Sequence, residues 1–170
     1  MGVQESEGVV VRAARPDDAT AIAAIYNHFV TQTTVTFEEE AVAVSEMVRR
    51  MEDVAAASLP WLVAERAGTV VGYAYATKWR ARRSYRFSAE VTAYLAFDQV
   101  GRGLGSLLFT RLLSELRERG VHAAMGGIAL PNDASVSLHE KFGFKKVAHF
   151  EEVGFKHDRW IDVGYWQCLL

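Results

Sequence analysis

The sequence predicts an α/β protein of one domain, and three features carry that reading. Residues 90–144 read as an apolar strand, a glycine-rich turn, a leucine-rich helix, a second strand and a second helix. Two β-rich runs, 61–66 and 69–77, meet at Ala67-Gly68, the mark of a tight hairpin. The apolar period switches repeatedly between strand and helix values, which gives the order β-α-α-β-β-β-α-β-α-β-β. A chain of 170 residues, half of them apolar and 24% charged, is long enough to bury one real core. The domain is expected to span 1–170, with 1–8 as a flexible tail.

Val9-Val10-Val11 opens the first strand. Arg15-Pro16-Asp17-Asp18 starts a helix, because proline suits a first turn and carboxylates complement the dipole. Ile22, Ile25, Tyr26 and Phe29 recur at helical spacing and face the core. Residues 31–37 form a loop or short extended segment, in which Phe37 either walls a pocket or anchors the core. Residues 38–57 read as a second helix, with Val42, Met47, Val48 and Met51 on one side and Glu38-Glu39-Glu40 as a solvated first turn. After the hairpin, Lys78-Trp79-Arg80-Ala81-Arg82-Arg83 is either a solvated basic loop or a receptor for an acidic small molecule.

The strand at 86–97 alternates. Phe87, Ala89, Val91, Ala93, Leu95 and Phe97 point one way; Arg86, Ser88, Glu90, Thr92 and Tyr94 point the other. Glu90 at an edge would mean nothing. In a cleft it is a candidate general base, with a pKa raised by partial burial. The helix at 103–118 sets Leu104, Leu108, Leu112 and Leu116 against the sheet, and Gly120 closes it. The strand at 123–129, apolar on both faces, suits a central position. Pro131-Asn132-Asp133 caps a helix at 132–142. His139 lies near that helix's apolar face, the usual place of a satisfied core histidine. Strands at 145–153 and 160–169 flank a polar loop at 154–159.

The turn Val100-Gly101-Arg102-Gly103-Leu104-Gly105 is either a tight strand-to-helix connection or an anion site. Glycines let backbone approach a phosphate, and the first N–H groups of a helix lack partners and carry the positive end of its dipole. A Walker loop needs Gly-Lys-Ser/Thr where Leu104-Gly105-Ser106 stand. A dinucleotide turn needs a third glycine at Ser106 and an acid at the tip of the next strand. A third option is a coenzyme with its pyrophosphate on the turn and its arm along the preceding strand.

A net charge of −2 argues against a dedicated nucleic-acid binder. Cys168 is the sole cysteine, so no internal disulfide is possible, and its apolar run suggests a buried thiol. His28, His122, His139, His149 and His157 show no metal-ligand spacing, so no metal is expected. The polar, acidic start is not a secretory signal, and no apolar run approaches the roughly 20 residues of a membrane span. A cytoplasmic protein without a nucleic-acid or membrane partner is expected.

The element order and the run 97–144 resemble the GNAT superfamily of acyl-CoA-dependent N-acetyltransferases. A closer likeness follows. Trp79-x-Ala81-Arg82-x-x-Tyr85, Glu90-x-Thr92-x-Tyr94, Leu130-Pro131-Asn132-Asp133-x-Ser135-Val136 and His139-Glu140 are similar to the phosphinothricin acetyltransferase family. So are Val153-Gly154-Phe155-Lys156-His157 and Trp160-x-Asp162-Val163-Gly164-x-Trp166-Gln167.

The resemblance implies a GNAT-type fold: a mixed, mostly antiparallel central sheet flanked by helices and splayed at its central strands. It implies acetyl-CoA as co-substrate. The pyrophosphate would sit on Val100, Gly101, Arg102, Gly103, Leu104, Gly105 and Ser106. The pantetheine arm would run along Tyr94, Leu95, Ala96 and Phe97, with Asn132 on its other side. Glu90 would be the catalytic base, and a backbone N–H near Leu95 would hold the oxyanion. His139 would stand where many superfamily members carry a tyrosine that protonates the thiolate. One departure concerns the superfamily pattern Gln/Arg-x-x-Gly-x-Gly/Ala: its first position here is Val100, and Gln99 comes one place too early.

The implied acceptor is a small glutamate-like amino acid such as phosphinothricin or methionine sulfoximine. Lys78, Arg82 and Tyr85 would bind its acidic groups, with Arg80, Phe37 and Thr92 as further candidates. Lys156 or His157 would complete the site across a homodimer interface. Two alternatives stay open. One is a cationic acceptor such as an aminoglycoside, a polyamine or a protein N-terminus, which the basic loop disfavours. The other is a non-catalytic acyl-CoA-binding module, which Val100 favours and the retention of Glu90 and His139 disfavours.

Overall fold

The computed structural model describes residues 8–170, so the expected tail lies, but for Gly8, outside the described residues. In chain order the elements are β1 (Val9–Ala13), α1 (Ala19–Gln32), α2 (Val44–Ala56), β2 (Trp61–Arg66), β3 (Thr69–Lys78) and β4 (Ser88–Leu95). Then come α3 (Leu104–Glu118), β5 (Ala123–Leu130), α4 (Asp133–Lys141), β6 (Lys145–Lys156) and β7 (Arg159–Leu169). The strands make one seven-stranded sheet in the order β1-β2-β3-β4-β5-β7-β6. Only β4 and β5 pair in parallel; the other neighbours are antiparallel.

Each face of the sheet carries its own core. On one, Leu104, Leu108, Leu112 and Leu116 of α3 are fully buried in a cluster with Leu62, Ala89 and Val91. Each such leucine contributes about 1.5–3 kcal/mol of burial. On the other, Ile22, Tyr26 and Val30 of α1 and Met47 and Met51 of α2 cluster with Trp61, Val63 and Tyr73.

Three expected elements differ. The second helix begins at Val44, not at residue 38. The preceding segment is tied down instead: the Asn27 amide donates to Val42 O at 2.9 Å and accepts from Val42 N at 2.7 Å. Glu38, expected in a solvated turn, accepts from Arg50 and from the Tyr26 phenol. The expected loop at 154–159 is a hairpin whose turn is His157-Asp158 alone, both in the left-handed region at φ 50° and 55°. The strand expected at 86–97 is shorter, and Phe87 and Phe97 are 50% and 74% exposed instead of sharing its core face.

The β4–β5 pairing runs Ser88↔Ala123, Ala89↔Ala124, Glu90↔Met125 and ends there. Beyond Glu90 the two strands part, and the edge of β4 that faces β5 no longer has a ladder partner.

Candidate active site

Glu90 occupies the last paired rung. Two cavities open on the parting of the strands, and Val35, Gly127 and Ala129 line both. The larger, about 660 Å³, has Glu90 and Arg80 in its wall together with Phe37, Trp79, Phe150 and Tyr165. The smaller, about 250 Å³, passes between the strands towards α4, along Thr92, Tyr94, Leu95, Asn132 and His139.

The Glu90 carboxylate can lie across the gap because residue 127 has no side chain. A Cβ on Gly127 would stand 3.1 Å from Glu90 Oε1 and 3.1 Å from the Tyr165 ring. Burial pushes the Glu90 pKa up, and the charge of Arg80 pulls it part of the way back. The Arg80 guanidinium lies 4.9 Å from the centre of the Trp79 ring, a cation–π contact that keeps it at the cavity. Trp79 meets Tyr165 edge-on at 5.4 Å, and Phe150 meets it at 5.9 Å. Tyr165 was not expected here. Burial, and then the charge of Glu90, raise its phenol pKa. The signal was its strand period: Val163, Tyr165 and Gln167 share one face of β7, and all three line the cavity.

The structure gathers only part of the expected acceptor set. Phe37 and Arg80 meet Glu90 in the larger cavity. Thr92 lines the smaller one and sits opposite Tyr75 in the β3–β4 ladder. Lys78 opens instead onto a separate recess beside Arg50, Trp61 and Tyr75. Arg82 and Tyr85 are exposed on the connection before β4 and do not line the cavity. Lys156 is buried and donates to Val30 O at 2.7 Å and Thr36 O at 2.8 Å.

His139 reaches the smaller cavity from α4, on the sheet face opposite Glu90. Its ring is boxed edge-on by Phe109 at 5.0 Å and Phe144 at 5.1 Å. Nδ1 lies 2.8 Å from Ser135 O, which can only accept, so Nδ1 carries the proton. Nε2 is then a buried acceptor without a partner. Burial lowers the pKa and favours the neutral ring.

The glycine turn has the features of an anion cradle. Gly101 and Gly103 take φ of 79° and 76°, which side-chain-bearing residues rarely adopt. No side chain caps the N–H groups at the start of α3, and its first turn holds no acid. Lys141 Nζ donates to Ser106 Oγ at 2.8 Å, placing an unforeseen cation beside the turn, while Arg102 is exposed. Gln99 is turned away to accept from Arg66, so it does not make up for Val100. Leu104 buries its side chain, leaving only backbone for the turn. Gly105 also has a packing reason, since a Cβ there would lie 3.2 Å from Leu138 Cδ2.

Along the groove, Tyr94 is wedged between Tyr26 at 5.3 Å and Phe29 at 5.1 Å. Ala96 is half-buried, and Phe97 lies 5.2 Å from His28. Asn132 caps α4 by accepting from Ser135 N at 3.1 Å. Unpartnered N–H groups, left-handed glycines, nearby cations and an open strand edge together fit an extended, anionic coenzyme.

An acetyltransferase (GNAT) domain model matches residues 11–164. A phosphinothricin N-acetyltransferase of Streptomyces viridochromogenes is 39% identical over 96% of this chain and 88% of its own. An L-methionine sulfoximine/L-methionine sulfone acetyltransferase of Salmonella typhimurium is 35% identical over 95% of each. Among solved structures, a GNAT phosphinothricin acetyltransferase of Sinorhizobium meliloti in complex with acetyl-CoA superposes with a TM-score of 0.93. It is 32% identical over 96% of this chain and 89% of its own.

Proposed function

The chain belongs to the GNAT acetyltransferases, and on that premise we propose that it acetylates the amino group of a small glutamate-like amino acid of the phosphinothricin or methionine sulfoximine kind. It is an N-acetyltransferase that uses acetyl-CoA. The observation that supports the substrate reading is that Glu90 lines a cavity that shares Val35, Gly127 and Ala129 with the groove beside it.

Acetyl-CoA supplies the acetyl group as a thioester. In the proposed mechanism the backbone of Gly101 to Ser106, with Arg102 and Lys141, holds the pyrophosphate, and the open edge of β4 from Tyr94 to Phe97 pairs with the pantetheine arm. Glu90 takes a proton from the acceptor ammonium, and its raised pKa brings it towards its working range. A backbone N–H near Leu95 donates to the oxyanion as the C–N bond forms and the C–S bond breaks. The departing thiolate takes up a proton on the side of the groove where His139 stands. That proton is the second one lost by the attacking amine. Neutral His139, whose own proton is held on Nδ1 by Ser135, has none to give and would only relay it, accepting at Nε2 and passing it on. Positioning in the joined cavities can supply about 7–11 kcal/mol of the barrier reduction.

Arg80 is the one cation lining the acceptor cavity among the described residues. One guanidinium suits one carboxylate. The acceptor's far end therefore meets aromatic walls and Gln167, which accommodates a neutral sulfoximine better than a second anion. The test is thiol release from acetyl-CoA with methionine sulfoximine, phosphinothricin, glutamate, spermidine and an aminoglycoside. Turnover is expected with the first two, with the higher kcat/KM for the sulfoximine. Turnover confined to spermidine or the aminoglycoside would overturn the reading.

The same proposal takes the whole chain as one domain acting as a homodimer in the cytoplasm. Val147, Phe150 and Val153 of β6 are 56%, 48% and 61% exposed and also rim the acceptor cavity, so a second copy there would close it. No helix among the described residues is long and apolar enough to cross a membrane.

A further inference from the structure

Lys156 is only 2% exposed, yet its ammonium is held by two backbone carbonyls, Val30 O and Thr36 O. Glu38 and Glu39 act on it only through space. Burying a cation is costly unless it is hydrogen-bonded, and two of the three ammonium donors are used here. A lysine committed to one carbonyl at the end of α1 and one in the loop therefore ties the loop to the helix. Two residues earlier on the same face of β6, Gly154 seats the ring of Phe37: a Cβ there would overlap the ring. Consecutive loop residues, Thr36 and Phe37, thus rest on alternate inward positions of one strand.

The loop is gripped from its other side as well. Thr36 Oγ1 lies 2.7 Å from the Tyr26 phenol, and Arg50 donates to Glu38 at 2.6 and 2.9 Å. Between these holds, Val35 lines both cavities and Phe37 lines the larger one.

We propose that Lys156 is a positioning residue: with Gly154 it forms a dock on the C-terminal hairpin that fixes residues 35–37 as the wall between the acceptor cavity and the coenzyme groove. The proposal rests on the larger cavity being the acceptor site. It makes acceptor fit depend on a side chain that is turned away from the acceptor. Lys156 thereby acts within its own chain, through the loop.

The experiment compares Lys156→Met, Gly154→Ala, Phe37→Ala and the Phe37→Ala/Gly154→Ala pair, using the best amine acceptor of the wild-type enzyme. Lys156→Met and Gly154→Ala are each expected to raise the acceptor KM about tenfold, with the acetyl-CoA Kd, measured by calorimetry, changed less than about twofold. In the Phe37→Ala background, Gly154→Ala should add almost nothing, because the ring it displaces is gone. Amide hydrogen exchange over residues 33–43 should quicken in Lys156→Met while that of α3 stays as in the wild type.

An unchanged acceptor KM in both single variants would overturn the dock. So would a parallel loss of acetyl-CoA affinity, which would mark a general structural role, or full additivity of the Phe37 and Gly154 substitutions. Should the wild-type enzyme prefer a polyamine, the substrate reading fails, while the KM ratio and the exchange pattern still decide the dock.

Discussion

At the scale of single residues, the proposed chemistry rests on one carboxylate and one guanidinium. Burial raises the Glu90 pKa, and Arg80 opposes that rise. A base must be deprotonated to act, so with Glu90 as the proposed base kcat/KM should fall as pH drops through the Glu90 pKa. Removing the cation lets that pKa climb further. Arg80→Ala should therefore move the acid limb of the kcat/KM profile to higher pH, and Glu90→Gln should abolish that limb and cut kcat about 10²–10⁴-fold. A limb that stays in place in Arg80→Ala would separate Arg80 from the base. Glu90 stood out in the sequence because an acid in mid-strand is rare, and it does line a cavity. The roles expected of Lys78, Arg82 and Tyr85 came from the family resemblance, and matching residues do not say which side of a strand end each one takes. Lys78 closes β3 facing the α2 recess, and Arg80, two residues on, turns to Glu90.

At the scale of elements, β5 keeps its place through two adjacent glycines with opposite duties. Gly126 faces α4, where the His139 ring fills the space of a side chain; Gly127 faces the Glu90 carboxylate. Gly126→Ala would push His139 into Phe109 and Phe144, which already enclose it. Overpacking of that kind costs about 1–3 kcal/mol, to be read from urea unfolding. Gly127→Ala should leave the unfolding midpoint nearly unchanged and depress kcat/KM instead, since its Cβ enters the cavity. Equal stability losses in the two variants would contradict this division of roles. Both glycines could be read in the sequence only as small residues in an apolar strand. Helix 103–118 was legible in full because its leucines recur every fourth residue. The start of α2 was not, because Asn27, eleven residues before the connection reaches Glu38, satisfies the backbone at Val42 and holds the segment out of the helix.

At the scale of the whole molecule, the order of elements was readable, but the arrangement of the last two strands was not. A hairpin can meet a sheet by either strand, and here β7 inserts beside β5 and leaves β6 at the edge. That choice puts Val153, Phe155 and Trp160 on the outside at 61%, 51% and 64% exposure, with Phe155 and Trp160 in contact at 4.8 Å. Scattered apolar side chains on a surface need no explanation, but several gathered on one edge hairpin are what the proposed dimer would cover. A second copy is the occupant proposed above, because the same hairpin rims the acceptor cavity. In sedimentation the wild-type protein should run at twice the chain mass, and Trp160→Glu, which sets a charge in the centre of the strip, should run at the chain mass. The variant's acceptor KM should rise with dissociation, while its acetyl-CoA affinity should hold, because the glycine turn lies outside this hairpin. A wild-type protein that sediments as a monomer with full activity would remove the second copy from the acceptor site and leave the strip as surface alone.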